Sequence, residues 1–289
     1  MMFDRNLELF LKVAEYGSIT KVAKVFYITQ PAVSNALAKL ERELGVKLFF
    51  RDKRKGLVLT DVGEKILNLA RQMEDIDNRI CQCAYKERNM ISGRLRIAVL
   101  TSLVSTILSK ALKEYRFLYP DIEIEIKEGT PNEIFEMIEA HTADVAISCS
   151  PFGKFHAVTL IQDRIMAMFP PDSAEKKTVF LSEPPDMLII NKPAYETVLD
   201  HITRKDSVKF NKVMIVKNAE TAIHMVADGI GAGIISEYTL ETLAPGYPRY
   251  AVEPSITFEI GLFANDLNDL TPAAAEFVRI ICDDPAFCR

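Results

Sequence analysis

Residues 17–60 contain two short helical segments and then a cationic run, and this block limits the possible folds more than any other stretch. Ser18 can accept a hydrogen bond from the free amides that open a first helix of about two turns. Thr29 gives the same signal for a second helix, which tolerates Pro31 in its first turn and ends at Gly45. The apolar residues of the second helix recur at helical spacing, at Val33, Leu37, Leu40 and Leu44. The block therefore predicts a helix-turn-helix.

The outer face of the second helix carries polar side chains that can read the edges of bases. Gln30 and Ser34 lie four residues apart, and Asn35 lies beside them. An amide can pair with adenine through two hydrogen bonds, and a hydroxyl can bind either base, in a major groove wide enough for a helix. The alternative is an ordinary surface helix, since any amphipathic helix has a polar outer face.

The cationic run at residues 51–55 favours DNA binding, because four of its five side chains are basic and Gly56 supplies a turn. The run lies between two short apolar segments, 47–50 and 57–59, as the tip of a hairpin does. Such a tip beside a helix-turn-helix can neutralise phosphates and release their counterions. By itself the run would indicate only a solvated loop. Joined to the two helices, it predicts a DNA-binding wing.

This block resembles the winged helix-turn-helix of LysR-type transcriptional regulators. The strict motif covers about the first 65 residues, and the resemblance in length and order extends over the whole chain. Val22 and Asn35 depart from the family pattern, and the second departure affects the expected base preference. The matching residues are Phe10, Ala14, Gly17, Ser18, Ile19, Thr20, Ala23, Thr29, Gln30, Pro31, Ala32, Val33, Ser34, Leu40, Glu41, Leu44, Gly45, Leu48, Phe49, Arg51, Leu59, Thr60 and Gly63. The predicted DNA contacts are Ser18, Thr29, Gln30, Pro31, Ser34, Asn35, Arg51, Lys53, Arg54 and Lys55.

Charge is distributed unevenly along the chain. The net charge is −5, but residues 1–65 contain 12 Lys and Arg against 8 Asp and Glu, whereas the remainder contains 23 against 32. The first part therefore carries +4 and the rest −9. Only the N-terminal part suits a polyanion such as double-stranded DNA.

The remaining composition is that of an ordinary soluble protein of two or three domains, with 289 residues of which 48% are hydrophobic. No apolar run approaches the ~18 residues that span a bilayer, and the N-terminus lacks the order of a signal peptide. A cytoplasmic protein without a membrane partner is expected. The five cysteines are odd in number and lack C-x-x-C spacing, so the sequence predicts neither a disulfide framework nor a zinc site. No metal and no cofactor are expected.

A long helix is expected after the wing, capped by Thr60 or Asp61, with apolar residues at heptad spacing. Such a seam predicts pairing with a second chain, although a lone helix packed on its own C-terminal domain is the alternative. The LysR resemblance implies an antiparallel dimer that presents two recognition helices to a two-fold-related DNA site. One row of the seam is Leu59, Ile66, Met73 and Ile80, and the other is Val62, Leu69, Ile76 and Cys83.

From Arg94 onward, apolar strand-like runs alternate with helical ones, which predicts βαβ units and a parallel sheet. The pattern occurs twice and indicates two α/β lobes joined by extended segments near 161–169 and 258–264. The resemblance implies an effector-binding domain similar to periplasmic solute-binding proteins. The predicted fold class is α plus α/β: a winged helix-turn-helix at 1–60, a linker and dimerisation helix at 61–90, and a two-lobed domain at 91–289. Lobe I is placed at 91–162 and 266–289, and lobe II at 163–265.

Ligands of open parallel sheets bind beyond the carboxyl ends of the strands, where helix N-termini present free amides. Polar residues at those ends could hold an anionic metabolite without a fixed positive charge. The alternative is that they are only helix caps and turn residues. The LysR resemblance implies this role for the positions of Ser102 and Thr130. The whole predicted effector set is Thr101, Ser102, Thr130, Ser148, Cys149 and Asn218.

The sequence contains no catalytic motif such as G-x-S-x-G or H-E-x-x-H. The glycines at 229–233 are expected to connect a helix to a strand, the reverse of a phosphate-binding loop, and the four histidines lack metal spacing. The sequence therefore predicts a DNA-binding, effector-controlled transcriptional regulator and no enzyme, acting as a dimer and a tetramer, and contacting RNA polymerase if it activates. The alternative is an enzyme or solute-binding protein that carries the helix-turn-helix for oligomerisation.

Overall fold

The computed structural model describes residues 4–52, 56–86, 93–173, 178–194, 198, 212–285 and 287. The chain divides into two units, one formed by Met1–Gly93 with Ala140–Thr142 and one by Arg94–Glu139 with Ala143–Arg289. The alternating pattern of the second lobe also predicts a helix near 194–203; most of that segment and the wing tip at 53–55 lie outside the described residues. None of the described helices combines the length and the hydropathy that crossing a bilayer requires.

The N-terminal unit contains the predicted helix-turn-helix. Ser18 and Thr29 each accept a hydrogen bond from a first-turn amide and so begin the second and third helices. Gly45 ends the third helix with a φ of 68°, a conformation that glycine adopts without strain. The elements are α1 (Arg5–Tyr16), α2 (Ile19–Val25), α3 (Gln30–Leu44), β1 (Phe49–Asp52), β2 (Gly56–Leu59) and α4 (Asp61–Lys86). The helices predicted from the caps and the apolar spacing are confirmed.

One apolar core holds these elements together. Phe10, Val13, Val22, Val33 and Leu48 are completely buried in it. Complete burial of a side chain of this size contributes ~1.5–3 kcal/mol. Because α2 has only seven residues, too few to be stable alone, its position depends on this packing.

The hairpin joins directly to the long helix through Thr60. Strand β1 pairs antiparallel with β2, from Phe49 opposite Leu59 to Asp52 opposite Gly56. The Thr60 amide donates to the carbonyl oxygen of Leu48 at 3.0 Å, and its hydroxyl accepts from the Gly63 amide at 2.9 Å. Thr60 therefore ends β2 and caps α4. The assignment of Leu59 to the helical seam is wrong, because β2 continues through Leu59 and α4 begins only at Asp61.

The C-terminal unit alternates strands and helices as predicted, and several of its helices begin at a polar residue that binds a first-turn amide. For α7, Thr130 and Glu133 have the spacing of a capping box, and the Glu133 carboxylate accepts from the Thr130 amide at 2.7 Å, which is half of that arrangement. The strands are β3 (Gly93–Leu100), β4 (Ile122–Gly129), β5 (Val145–Cys149), β6 (His156–Met168), β7 (Val179–Phe180), β8 (Leu188–Asn191), β9 (Val213–Val216), β10 (Ala232–Ser236), β11 (Tyr250–Glu253) and β12 (Thr257–Ala264). The helices are α5 (Thr101–Leu103), a π-helical segment (Val104–Leu108), α6 (Ser109–Leu118), α7 (Pro131–Glu139), α8 (Ala219–Ala227), α9 (Glu237–Leu243) and α10 (Pro272–Asp283).

These strands form one sheet in the order β4-β3-β5-β12-β6-β10-β8-β9, with β11 beside β6 and β7 beside β11. Pairing is parallel between β3 and β5 in one lobe, and among β10, β8 and β9 in the other. The antiparallel strands β6 and β12 run between the lobes, since β12 pairs with β5 and β6, and the end of β6 pairs with β10. The predicted two-lobed α/β architecture is confirmed.

The last helix returns to the first lobe. The Tyr115 hydroxyl on α6 donates to the carbonyl oxygen of Ala273 on α10 at 2.9 Å, and its ring meets Phe277 edge-on. Burial raises the pKa of Tyr115 well above its usual value, so its hydroxyl remains a donor. This pairing of α6 with the last helix of the unit closes lobe I.

The glycine-rich stretch connects a helix to a strand. Gly229 follows α8 with a φ of 83°, and β10 begins at Ala232. A Cβ atom at Gly231 would lie 2.7 Å from the carbonyl oxygen of Met187, which no side chain tolerates. The prediction of a tight turn is confirmed, and it accounts for these glycines.

Candidate functional site

Helix α3 presents a polar face to solvent. Gln30, Pro31, Ser34 and Asn35 are exposed, while Val33, on the opposite face, is completely buried. The buried face fixes the rotation of the helix, so the exposed face points outward as one rigid surface. Its amide and hydroxyl groups can form hydrogen bonds to base edges.

Two predicted contact residues also cap helices. The Ser18 hydroxyl accepts from the Lys21 amide at 3.3 Å, and the Thr29 hydroxyl accepts from the Ala32 amide at 3.4 Å. Each hydroxyl still has a proton to donate. Ser18 and Thr29 can therefore begin their helices and donate to a phosphate oxygen at the same time.

The wing supplies cationic and structural residues. Arg51 is exposed and lies within β1 opposite Leu57, so it belongs to the strand and not to the tip. Lys53, Arg54 and Lys55 lie outside the described residues. Arg51 can lie beside the exposed face of α3 only if a contact holds strand β1 to that helix.

Glu41 of α3 holds the hairpin in place. Its carboxylate accepts from the Leu48 amide at 2.9 Å and from the Phe49 amide at 3.5 Å, and it forms an ion pair with Lys47. Burial opposes ionisation of this carboxyl, but the Lys47 ammonium and the two amides together hold the pKa of Glu41 below its usual range. Glu41 matches the family motif, but no pattern in the sequence indicates this role.

We expect Glu41→Gln to lower the free energy of unfolding by ~1–2 kcal/mol at pH 7, because the charge-assisted hydrogen bonds are lost. A lowered folded-state pKa stabilises the protein above the pKa of the unfolded carboxyl, and this stabilisation is lost as the pH falls through the folded-state pKa. The difference between the two proteins in urea unfolding should therefore shrink between pH 7 and pH 3.

Glu43→Gln is the matched control on the same helix. Glu43 forms a long ion pair with Lys39 at 3.9 Å, and both side chains are more than half exposed. Its replacement should change the free energy of unfolding by less than ~0.5 kcal/mol. Equal effects of the two variants at both pH values would contradict the anchoring role of Glu41.

Helix α4 carries an exposed apolar stripe. Leu69, Met73, Ile76 and Ile80 are 58%, 52%, 52% and 46% exposed, although their side chains are large and apolar. Leu67 and Ala70, on a different face, pack into the core of the N-terminal unit. The stripe follows the predicted heptad positions from Val62 onward with one exception, because Ile66 packs partly buried against the core of the N-terminal unit.

A cavity lies between the two lobes of the C-terminal unit, at the carboxyl ends of β3, β5 and β8. The volume open to the centre of a water molecule is ≈ 30 Å³, room for about two or three waters. The wall combines apolar side chains with a few hydroxyl, thiol and amide groups. Its residues are Leu100, Ser102, Leu103, Cys149, Ile165, Asn191, Pro193, Ala194, Ala219, Ile235, Ser236, Thr239, Phe258 and Ile260.

The structure brings two of the six sequence-predicted effector residues to this wall, Ser102 and Cys149. Ser148 precedes Cys149 in β5, and because successive side chains of a strand point to opposite faces, its hydroxyl lies on the other side of the sheet. Asn218 caps α8 by accepting from the Thr221 amide at 2.9 Å. Thr101, Thr130, Ser148 and Asn218 are not among the described residues of the wall.

Sequence reasoning missed the polar residues of the second lobe. Asn191 is the last residue of β8, and a polar residue at the end of the apolar run MLIIN was the available signal. Ser236 caps α9, and no sequence pattern distinguished it from an ordinary cap. Its partner Asp163 lies 73 positions earlier in the chain, a distance that no local pattern reveals.

Asp163 lies directly behind the wall. Its buried carboxylate accepts from the Ser236 hydroxyl at 2.6 Å and from the Tyr238 amide at 3.1 Å. Burial raises the pKa of Asp163 in spite of these hydrogen bonds. Because the proton of Ser236 is directed to Asp163, Ser236 can offer the cavity only an acceptor.

Within the part of the chain that the structure describes, no group of three or more His, Cys, Asp or Glu side chains could hold a metal ion. The described cysteines, Cys81, Cys83, Cys149 and Cys282, form no disulfide.

Comparisons with known proteins place both units in one family. Residues 5–64 match the model of the bacterial regulatory helix-turn-helix proteins of the lysR family, and residues 88–284 match the model of the LysR substrate binding domain. The chain is 38% identical over 284 residues to YoaU of Bacillus subtilis (strain 168), named an uncharacterized HTH-type transcriptional regulator. That alignment covers 97% of this chain and 98% of YoaU.

Solved structures share the fold. Full-length OxyR from Pseudomonas aeruginosa superposes with a TM-score of 0.73 at 19% identity, covering 98% of this chain and 94% of that one. Full-length CbnR, solved in a complex with its target DNA, has a TM-score of 0.61 at 19% identity and covers 98% and 99%. Nothing in these similarities favours the alternative of an enzyme or solute-binding protein. The chain belongs to the LysR family of DNA-binding transcriptional regulators, with a lysR-type helix-turn-helix followed by a substrate-binding effector domain.

Proposed function

We propose that this regulator binds a two-fold-related DNA site with α3 in the major groove and the hairpin on the phosphate backbone. The observation that carries the proposal is the exposed polar face of α3, held in orientation by a buried apolar face and joined to the hairpin by Glu41. In this proposal Gln30, Ser34 and Asn35 read bases. Ser18, Thr29, Pro31, Arg51 and the tip residues Lys53, Arg54 and Lys55 contact the backbone.

Two chains pair through α4 in this proposal. The exposed stripe of α4 supports it, since Leu69, Met73, Ile76 and Ile80 would bury large apolar surfaces only against another chain or another part of the protein. Pairing gives two copies of α3, one for each half-site of a two-fold-related DNA site. Two such dimers would form a tetramer through the effector domains, with an RNA polymerase contact in the case of activation, in the cytoplasm.

Control by a small molecule completes the proposal. The domains are taken as 1–60, 61–90 and 91–289, and the effector occupies the cavity between the lobes, where Ser102 and Cys149 line the wall. A ligand in this position can change DNA binding only if it favours one arrangement of the lobes over another. The cavity lies at the carboxyl ends of parallel strands, the usual place for a ligand in such sheets.

We expect Gln30→Ala to weaken binding to the cognate DNA by ~1–3 kcal/mol and to leave binding to unrelated DNA almost unchanged. The reason is that its amide contributes only where the matching base is present. The measurement uses the full-length protein with a duplex selected from a random pool by the wild type, and with a scrambled duplex of equal length.

Two further variants make this test specific. Arg51→Ala should weaken binding to both duplexes and reduce the salt dependence, with a slope smaller by ~0.9 for each lost phosphate contact. Gln72→Ala removes an exposed amide from α4, outside α3, and should change neither the affinity for the two duplexes nor the salt dependence. If Gln30→Ala and Gln72→Ala bind the cognate duplex equally well, α3 is not the recognition helix.

A further inference from the structure

The cavity between the lobes is suited to an uncharged ligand. Among the side chains of its wall that the structure describes, none carries a charge, and the polar ones are Ser102, Cys149, Asn191, Ser236 and Thr239. Lys192 follows Asn191 but is exposed to solvent and does not belong to the wall. An anion inside would therefore lose its hydration without gaining a cationic partner, which is costly.

The helix N-termini near the cavity already have carboxylates of their own. The first turn of α8, which begins at Ala219 in the wall, contains Glu220. The Tyr238 amide at the start of α9 donates to the Asp163 carboxylate, and Glu237 lies in the same turn. These acids use the positive ends of both helix dipoles. A negative charge on a ligand would therefore find both helix ends already occupied, and the Arg164 guanidinium, next in the chain to Ile165 of the wall, is already paired with Glu237.

Asn191 supplies the positive evidence for a ligand. Its side chain is only 5% exposed, belongs to the cavity wall, and has an oxygen that finds no hydrogen-bond partner among the described residues. A buried acceptor without a partner is costly, and native structures seldom keep one without a use for it. This oxygen requires a donor, which a carboxylate at neutral pH cannot provide.

We propose that the effector is a small, uncharged organic molecule with an apolar body, whose N–H or O–H group donates to the Asn191 side-chain oxygen, as a primary carboxamide or an alcohol would. The inference rests on the proposed function, because it names the ligand class of the same cavity. It replaces the anionic metabolite that the strand-end residues indicated. The Ser102 hydroxyl, also in the wall, supplies a donor for the carbonyl or hydroxyl oxygen of such a molecule.

Occupation by more than a few heavy atoms requires the lobes to separate. The present volume of ≈ 30 Å³ holds about two or three waters. Two long hydrogen bonds cross the cleft, from Ser105 to Glu220 and from the Tyr238 hydroxyl to the Thr106 carbonyl oxygen, both at 3.5 Å. Bonds of this length are weak, so they oppose separation only slightly.

The test compares matched amides and carboxylates on the full-length protein by thermal unfolding. Isobutyramide and benzamide are paired with isobutyrate and benzoate, which have the same shape but carry a negative charge and no donor. We expect at least one amide to raise the Tm by ~2 °C or more, and its carboxylate partner to have less than half that effect. A larger shift with the carboxylates, or no shift with either amide, overturns the ligand class.

Asn191→Leu links the effect to the cavity. Removing a buried oxygen that has no hydrogen-bond partner among the described residues should raise the Tm of the ligand-free protein by ~2–4 °C and abolish the shift caused by the amide. Asn265→Leu is the matched control, because the Asn265 amide donates to the Ile138 carbonyl oxygen at 2.7 Å and does not belong to the wall. That variant should lose stability and keep the amide shift.

The outcomes separate this inference from the proposed function. If the carboxylates bind and Asn191→Leu abolishes their effect, the cavity is an effector site but the ligand is anionic, so only the ligand class fails. If Asn191→Leu leaves an amide shift intact, the amide binds elsewhere and the inference fails. The DNA half of the proposed function is tested independently by the Gln30→Ala measurement, which needs no ligand.

Discussion

Replacing Leu69 and Ile76 together by glutamate is expected to leave the protein monomeric and to lower its affinity for operator DNA by roughly 10²–10⁴-fold. Both side chains are more than half exposed within the apolar stripe of α4, at 58% and 52%. In a pairing seam, each charge would be buried against an apolar partner without a counterion, which association cannot tolerate. A single α3 would then bind one half-site without the gain that a linked second half-site provides.

The double variant should fold normally, because exposed positions on a helix accept glutamate at little cost. Sedimentation velocity measures the change in oligomeric state, and binding to a full operator compared with a half-site measures the loss of linkage. The charge-matched control is Asn68→Glu with Gln72→Glu, two exposed positions outside the stripe. A dimeric Leu69→Glu/Ile76→Glu protein with unchanged operator affinity would show that α4 does not pair two chains.

The sequence predicted those parts of the fold that depend on neighbours in the chain. Ser18 and Thr29 begin helices because a short side chain next to an apolar run can bind a free amide, and this is decided within a few residues. The heptad was visible for the same reason. Leu59 was assigned to it wrongly, since spacing alone cannot show that the preceding strand extends to that residue and that Thr60 interrupts it.

The cavity was less predictable because contacts between distant segments form it. Ser102 and Cys149 could be found from the rule that ligands lie beyond strand ends. The same rule also selected Ser148, whose side chain points away from Cys149, since the rule does not fix the phase of the strand. Asn191 becomes noticeable only when its burial is known and when its side-chain oxygen is seen to lack a hydrogen-bond partner among the described residues, and both facts depend on the packing of lobe II.

The buried ion pair in lobe I leads to the largest expected effect on stability. Asp144→Ala should lower the free energy of unfolding of the C-terminal unit by ~3–5 kcal/mol. Arg96 and Asp144 are 5% and 6% exposed, and the carboxylate accepts from the Arg96 amide at 2.7 Å as well as from the guanidinium. The Asp144 amide donates back to the Arg96 carbonyl oxygen at 2.8 Å, so the pair connects β3 to the residue before β5.

The Asp144→Ala substitution removes the carboxylate from a site that is closed to bulk solvent, so water cannot take its place beside the guanidinium. The guanidinium of Arg96 would remain buried while losing this carboxylate, and a buried charge that loses its counterion costs more than the pair contributed. Chemical unfolding followed by far-UV circular dichroism measures the loss. The control is Glu139→Gln, which breaks an ion pair with Lys154 on the surface. The side chains of Lys154 and Glu139 are 68% and 61% exposed, so this substitution should lower the free energy of unfolding by less than ~1 kcal/mol.

A second replacement distinguishes the cost of burying a guanidinium that has lost the Asp144 carboxylate from the loss of the contact itself. In the double variant Arg96→Met/Asp144→Leu both charges are absent, so no desolvated ion remains, and the apolar side chains can fill much of the vacated volume. This protein should recover most of the stability lost in Asp144→Ala. If it is instead as unstable as the single variant, the geometry of the hydrogen bonds between β3 and β5 matters more than the buried charge. If Asp144→Ala costs no more than Glu139→Gln, water reaches the guanidinium, and the pair is not part of the lobe I core.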